Sequence, residues 1–154
     1  MSDADLLPAT FSLRSRCKDY VRFTEKGGDD DEVEVQRIIA DYFKAYNDHA
    51  PARMLAHCSS DARFNFLISR EGVMALPRAA ESLARGIRVI LGAYFDNVRL
   101  EIDPERTRAS ASGTYFMFRS GDWKTRIAAE LTLHFRRGDD GWKIVLHDAE
   151  ALAG

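Results

Sequence analysis

The sequence predicts an α+β fold in which a curved antiparallel sheet wraps around three helices. In the first half of the chain, apolar residues recur with a period near 3.6, the mark of amphipathic helices. From residue 97 to residue 149 the period changes to 2, the mark of half-buried strands, with turn residues at short intervals. A length of 154 residues, 45% of them hydrophobic and 30% charged, suits one globular domain with one core.

Residues 1–30 read as an N-terminal arm and 31–154 as the domain. The amphipathic stretch from Leu13 to Phe23 ends in Lys26-Gly27-Gly28-Asp29-Asp30-Asp31, which reads as a flexible joint. A short helix packed on the domain or a partner subunit and an unstructured tail are alternatives for this stretch. From Asp31 the residues Val35, Ile38, Ile39, Tyr42, Phe43 and Tyr46 form the stripe of an amphipathic helix. The aspartate run supplies its N-cap and suits the positive end of its dipole. That helix stops near Asn47-Asp48. Pro51 then sits at the first position of a short second helix, with Met54 and Leu55 on its buried side and Ser59-Ser60-Asp61 closing it.

Residues 62–68 alternate, with Phe64, Phe66 and Ile68 on one face, and read as a strand. A third helix begins at Pro77 or Ser82 and shows an apolar face of Leu83, Ile87, Ile90, Leu91, Tyr94 and Phe95. Strands at 97–103, 106–119, 124–137 and 142–149 follow, joined by Pro104-Glu105, Ser120-Gly121-Asp122 and Gly138-Asp139-Asp140-Gly141. Each joint carries turn chemistry, so an antiparallel meander is expected. The two central strands, at about 14 residues, exceed the usual five or six and must bend to enclose a core. A sheet bent around a helix leaves a cone-shaped space, where a small ligand would go.

Composition and missing motifs exclude several classes of function. Lys plus Arg is 22 and Asp plus Glu is 24, a net charge of −2, which disfavours a nucleic-acid-binding face. The N-terminus lacks a secretory pattern and no run is long and apolar enough to span a membrane, so a cytoplasmic protein without membrane contact is expected. Cys17 and Cys58 have no zinc spacing or C-x-x-C context and are expected to be reduced thiols, with no metal site. Nucleotide-binding glycine loops, H-E-x-x-H and G-x-S-x-G are absent.

Three segments carry a family resemblance: the opening VEVQRIIADYFKAYNDHAPARMLAHCSSDARFNF, the stretch ARGIRVILGAYF, and the closing hairpin ELTLHFRRGDDGWKIVLHD. In order and character they resemble the nuclear transport factor 2-like superfamily, with its ketosteroid isomerase-like and polyketide-cyclase-like (SnoaL-like) domains. The resemblance covers residues 33–149. It implies a cone-shaped α+β barrel of the cystatin-like type, a small hydrophobic molecule as ligand, a homodimer and no cofactor. The activity it implies is acid/base chemistry of the isomerase, dehydratase or cyclase type, or a non-catalytic dimerisation or ligand-binding module. In the isomerase-like enzymes a carboxylate on the strand after the second helix is the general base. It works beside an oxyanion hole built from a tyrosine on the first helix and a protonated aspartate on a later strand. Tyr42 or Tyr46 matches the tyrosine. The base falls at Phe66, which cannot accept a proton, and its neighbour Asn65 points to the other face. The second acid falls within residues 130–134, without a settled match.

His147 and Tyr42 are the catalytic candidates; Tyr42, Tyr46, Phe64, Phe66, Tyr115 and His147 are the expected ligand-binding residues. His147 shares its expected face with Val145 and Ala149, and an unperturbed imidazole titrates near neutrality. Each candidate also has a plainer reading as a core residue whose polar atom is satisfied. Glu130, Thr132 and His134 share one strand face, solvated or subunit-facing, with Leu131, Leu133 and Phe135 on the other. His49 and His57 are read as surface residues, Trp123 and Trp142 as hairpin-end packing. Arg63, Arg119 and Arg126 are read as an exposed sheet face or a clamp for an anion.

Overall fold

Asp29 begins the first helix by a reciprocal cap: its carboxylate accepts from the Glu32 backbone N–H at 2.9 Å, and the Glu32 carboxylate accepts from the Asp29 N–H at 3.3 Å. A computed structural model of the chain describes residues 20–66, 72–119 and 122–152. The elements are β1 (Val21–Phe23), α1 (Asp30–Asn47), α2 (Pro51–Leu55), β2 (Cys58–Asn65), β3 (Val73–Ala75) and α3 (Leu76–Gly86). One turn of 3-10 helix at Ile87–Val89 leads into β4 (Ile90–Ile102), β5 (Arg108–Arg119), β6 (Asp122–Gly138) and β7 (Gly141–Ala151). The architecture is α+β, with three helices against one curved, open sheet of seven strands in the order β1-β4-β5-β6-β7-β2-β3.

The meander β4-β5-β6-β7 is antiparallel throughout, as its turn residues predict. The two ends of the sheet add parallel pairs, β1 on β4 and β2 on β7. The whole predicted stripe of α1 is buried, and Phe43 stacks on Phe95 of β4 with ring centroids 5.2 Å apart. From the sheet, Leu131, Leu133 and Phe135 of β6 meet this helix side, while Glu130 is exposed and Thr132 and His134 are half-buried on the opposite face.

Four expectations about elements are corrected. The third helix ends at Gly86, and Ile90, Tyr94 and Phe95 lie on β4 instead of a helix face. There Phe95 points towards α1 and Tyr94 away from it, against the rings of Tyr20 and Phe118 at 5.7 and 6.1 Å. Ala93, Tyr94 and Phe95 are all buried, so this part of β4 is dry on both faces and has no alternation to betray it. Ser59, Ser60 and Asp61 do not close α2, which ends at Leu55; they belong to β2, in the irregular stretch between the Cys58 and Arg63 pairs with β7. The strand read at 62–68 is therefore β2 at Cys58–Asn65, and Ile68 lies outside the described residues. Finally, Val145 does not share the face of His147. Ile144 pairs with Phe135 and Leu146 with His134, so Val145 is an extra, bulged residue in β7.

A second irregularity bends the sheet. Between Asp96 and Arg99 the register of β4 on β5 shifts, with Asn97 at φ 55°. Gly113 of β5 lies under this point, where a Cβ would stand 2.5 Å from the Asp96 carbonyl oxygen. Only a residue without a side chain allows this approach.

Candidate functional site

Two of the sequence-derived candidates meet directly. The Tyr42 hydroxyl, midway along the inner stripe of α1, lies 2.8 Å from Nδ1 of His147 on β7, and both side chains are buried. Among the described residues, Tyr42 is the one hydrogen-bond partner of the His147 ring. The strands deliver the ring to this place through two pairings, Phe64 of β2 and Leu133 of β6 standing on either side of His147.

Aromatic rings enclose the pair. Phe66 meets His147 edge-on at 5.1 Å, Phe64 lies 6.3 Å from it, and the Tyr42 ring lies at 5.8 Å. Phe66, the position at which the resemblance would put a carboxylate, presents an aromatic ring to His147. Tyr46 and Tyr115 form a second polar spot in the same interior. The Tyr115 hydroxyl donates to that of Tyr46 at 3.4 Å, and Tyr46 donates to the Met117 sulfur at 3.8 Å.

Burial sets the protonation of these groups. It pushes His147 down to about 4, with Asp148 opposing weakly, so the imidazole is neutral at pH 7. Burial also raises the hydroxyls of Tyr42, Tyr115 and Tyr46, and pushes the Cys58 thiol up to about 12. Each of these groups is uncharged at pH 7. The Tyr42–His147 hydrogen bond is therefore neutral, and its proton lies on whichever atom the tautomer of His147 leaves as donor.

Other candidates lie elsewhere. Glu130 and His134 sit on the sheet face away from α1 and do not approach His147. His49, exposed, bonds the Ile90 carbonyl through Nε2 at 2.7 Å, and His57 bonds Asp41 through Nε2 at 2.6 Å. Trp142 is buried, not merely an edge residue, with its indole N–H donating to Asp31 at 3.1 Å. Arg63 is exposed on β2. Cys17 and the side chains of Trp123, Arg119 and Arg126 lie outside the described residues. No group of three or more His, Cys, Asp or Glu converges among the described residues, and no helix there is long and apolar enough to cross a membrane.

Two features escaped sequence reasoning. Asn47, read only as a helix end, fixes α1 to β4: its amide donates to the carbonyls of Phe43 and Ala93, and its oxygen accepts from the Ala93 N–H at 2.8 Å. A cavity of about 760 Å³ lies on the far side of α1 from Tyr42 and His147, between β1 and the outer stripe of the helix. Its signal was the spacing of Val33, Arg37, Ala40 and Lys44, which repeats at one helical turn on the polar side of α1.

No family model and no curated protein matches the sequence. Among solved structures, the chain is similar to a candidate calcium/calmodulin-dependent protein kinase II association domain from Xanthomonas campestris. That match has 16% identity and a TM-score of 0.71, and covers 88% of this chain and 95% of that one. It is also similar to a candidate dehydratase of the nuclear transport factor 2-like family from Streptomyces avermitilis, at 15% identity and a TM-score of 0.69, covering 82% and 100%. The fold is nuclear transport factor 2-like. A third structure with this fold, from Novosphingobium aromaticivorans, is described as cystatin-like and matches at 18% identity and a TM-score of 0.66, covering 80% and 83%. In the nuclear transport factor 2-like fold of this chain, Tyr42 and His147 lie on the inner side, between α1 and the sheet.

Proposed function

We propose that this chain is a small-molecule-binding domain that holds an uncharged, largely apolar ligand between α1 and the sheet, with Tyr42 and His147 as its polar anchor. The observation that carries this reading is the buried 2.8 Å contact between Tyr42 and His147 within a wall of aromatic rings. His147 Nε2, unpartnered among the described residues, is the atom offered to the ligand. An ion entering this interior would find no counter-charge among Tyr42, Tyr46, Tyr115 and His147, and burying an unpaired charge is costly.

Acid/base turnover of the isomerase, dehydratase or cyclase kind is the catalytic extension of this reading, and the candidate dehydratase with the same fold supports it. With Phe66 in place of a carboxylate, such work falls to His147 and Tyr42. An imidazole can accept a proton at one ring nitrogen while the other keeps its partner. Burial makes His147 a weak base, which ranks ligand binding ahead of catalysis. Self-association belongs to the same proposal. On the outer face Ser112 and Thr132 pair across β5 and β6 between Arg99 and Asp148, and this polar, half-buried strip is where a second copy would pair. Light scattering that returned a strict monomer at micromolar concentration would remove that part.

The test of the pocket uses 2-naphthol and its charged counterpart 2-naphthoate, followed by the nitrogen resonances of His147. Naphthol is expected to shift Nε2 of His147 and to bind at least tenfold more tightly than naphthoate. Tyr42→Phe should weaken it by about five- to tenfold, the worth of one hydrogen bond of about 1 kcal/mol. Equal binding of naphthol to the wild type and to a Tyr42→Phe/His147→Phe variant would sink the assignment.

A further inference from the structure

The cavity beside β1 differs in chemistry from the cone. Its volume of about 760 Å³ falls within the roughly 300–1,000 Å³ of small-ligand clefts. One wall is the outer stripe of α1, where Val33, Arg37, Ala40 and Lys44 are all exposed, Val33 with 46% of its surface in solvent. Val21 and Phe23 of β1 form the facing apolar wall. Around them stand four cations, Arg22, Lys26, Arg37 and Lys44, and one carboxylate, Asp41, on a chain whose net charge is −2.

These cations are not equally neutralised. Arg22 lies 3.8 Å from Asp96, and Lys44 holds Asp48 at 2.9 Å. Asp41 is one helical turn from Arg37 and would be its natural partner. It turns instead to His57 at 2.6 Å and Arg53 at 4.0 Å. Among the described residues, no carboxylate lies within ion-pair distance of Lys26 or Arg37. An apolar cleft rimmed by two unneutralised cations matches one kind of guest, with an apolar body and a negative head.

We propose that this groove binds a small amphipathic anion, its acyl or aryl body against Val21, Phe23, Val33 and Ala40 and its carboxylate or phosphate head on Lys26 and Arg37. The site is separate from the cone, because α1 turns Tyr42, Phe43 and Tyr46 to the opposite side. The two sites select for opposite properties. The cone rejects charge, and the groove requires it.

The test titrates the full chain with dodecanoate, dodecyl phosphate and dodecanol below their micelle-forming concentrations, following backbone amide resonances. Dodecanoate is expected to shift the amides of Val33, Arg37, Ala40 and Lys44, to bind at least tenfold more tightly than dodecanol, and to weaken as salt rises. Dodecyl phosphate binding alike assigns the site to the anionic head in general, and its failure to bind narrows the head to a carboxylate. Lys26→Glu/Arg37→Glu should weaken dodecanoate at least tenfold, while Tyr42→Phe leaves it unchanged. Both substituted side chains are exposed, so an unchanged thermal melt is expected of that variant. Undiminished binding by the charge-reversed variant, shifts gathered at His147 and Tyr42 instead of the α1 outer stripe, or no shift at all would each overturn the proposal.

Discussion

Lowering the pH from 7 to 4 should destabilise the folded chain through His147, by an amount set by where the ring sits. In the folded state burial holds its protonation down to about 4, against 6.5 for an exposed imidazole. Between those values the unfolded chain binds a proton that the folded chain refuses, so stability falls as the pH falls. Above 6.5 the ring is neutral in both states and its contribution is complete; below 4 it is charged in both and the loss levels off. Each pH unit in this window is worth about 1.4 kcal/mol, which sums to about 3 kcal/mol, a large share of the roughly 5–15 kcal/mol that stabilises a domain. The ring is only 3% exposed, so solvent does little to screen the effect. Asp61, held down to about 2 by Arg136, and Asp48, held low by Lys44 and Arg53, lose their partners only under more acid conditions. Urea unfolding followed by tryptophan fluorescence at steps from pH 7 to 4 measures the slope. His147→Gln, which does not titrate there, should be less stable than wild type at pH 7 yet much flatter across the window. Parallel slopes for the two proteins, or a His147 titration midpoint near 6.5 in the native state, would refute the reasoning.

Tyr42→Phe leaves Nδ1 of His147 buried without its partner and should cost about 1–3 kcal/mol in chemical unfolding. Adding His147→Phe should cost much less than the sum of the two single changes, as a double-mutant cycle would show. Asn47→Ala removes two hydrogen bonds that tie α1 to β4, and a third to the Phe43 carbonyl within α1, and should cost about 2 kcal/mol, with faster hydrogen exchange at the Ala93 amide as its local sign. Gly113→Ala would press a Cβ against the Asp96 carbonyl, backbone that cannot swing aside, and should lower stability by about 1–3 kcal/mol in a thermal melt.

What the sequence made legible was regular structure with one wet and one dry side. The stripe of α1 and the alternation of β6 appear in the fold as their periods predict, because one face of each meets the core. Legibility failed where both faces are dry. Tyr94 and Phe95 are adjacent and both fully buried, on opposite sides of β4, and their spacing from Leu83 and Ile87 imitates a helix. It failed again where pairing is distant. Nothing local to Ser59-Ser60-Asp61 favours a strand; they are carried into β2 by the flanking pairs of Cys58 and Arg63 with β7, more than eighty residues away. Tyr42 and His147 were each visible as polar groups on apolar stripes. Their contact was not, since 105 residues separate them and no local rule links them.

That contact also depends on an irregularity that strict alternation would deny. Trp142 and Ile144 are buried on β7, and a period of 2 carried onward would send Leu146 inward and His147 to the outer face. The extra residue at Val145 reverses the phase, leaving Leu146 half-buried outside while the imidazole goes inside. By transfer free energy alone this is the worse arrangement, since a leucine stays partly wet and a titratable ring is desolvated. Pairing with β2 holds the reversed phase in place. Phe64 stands beside His147, and the Asn65 amide donates to the outward carboxylate of Asp148 at 2.9 Å. The Tyr42 hydrogen bond then offsets part of the desolvation. Departures from local preference held by distant contacts concentrate where a chain needs a particular group in a particular place. The bulge at Val145 is therefore the structural reason to look for the ligand at His147.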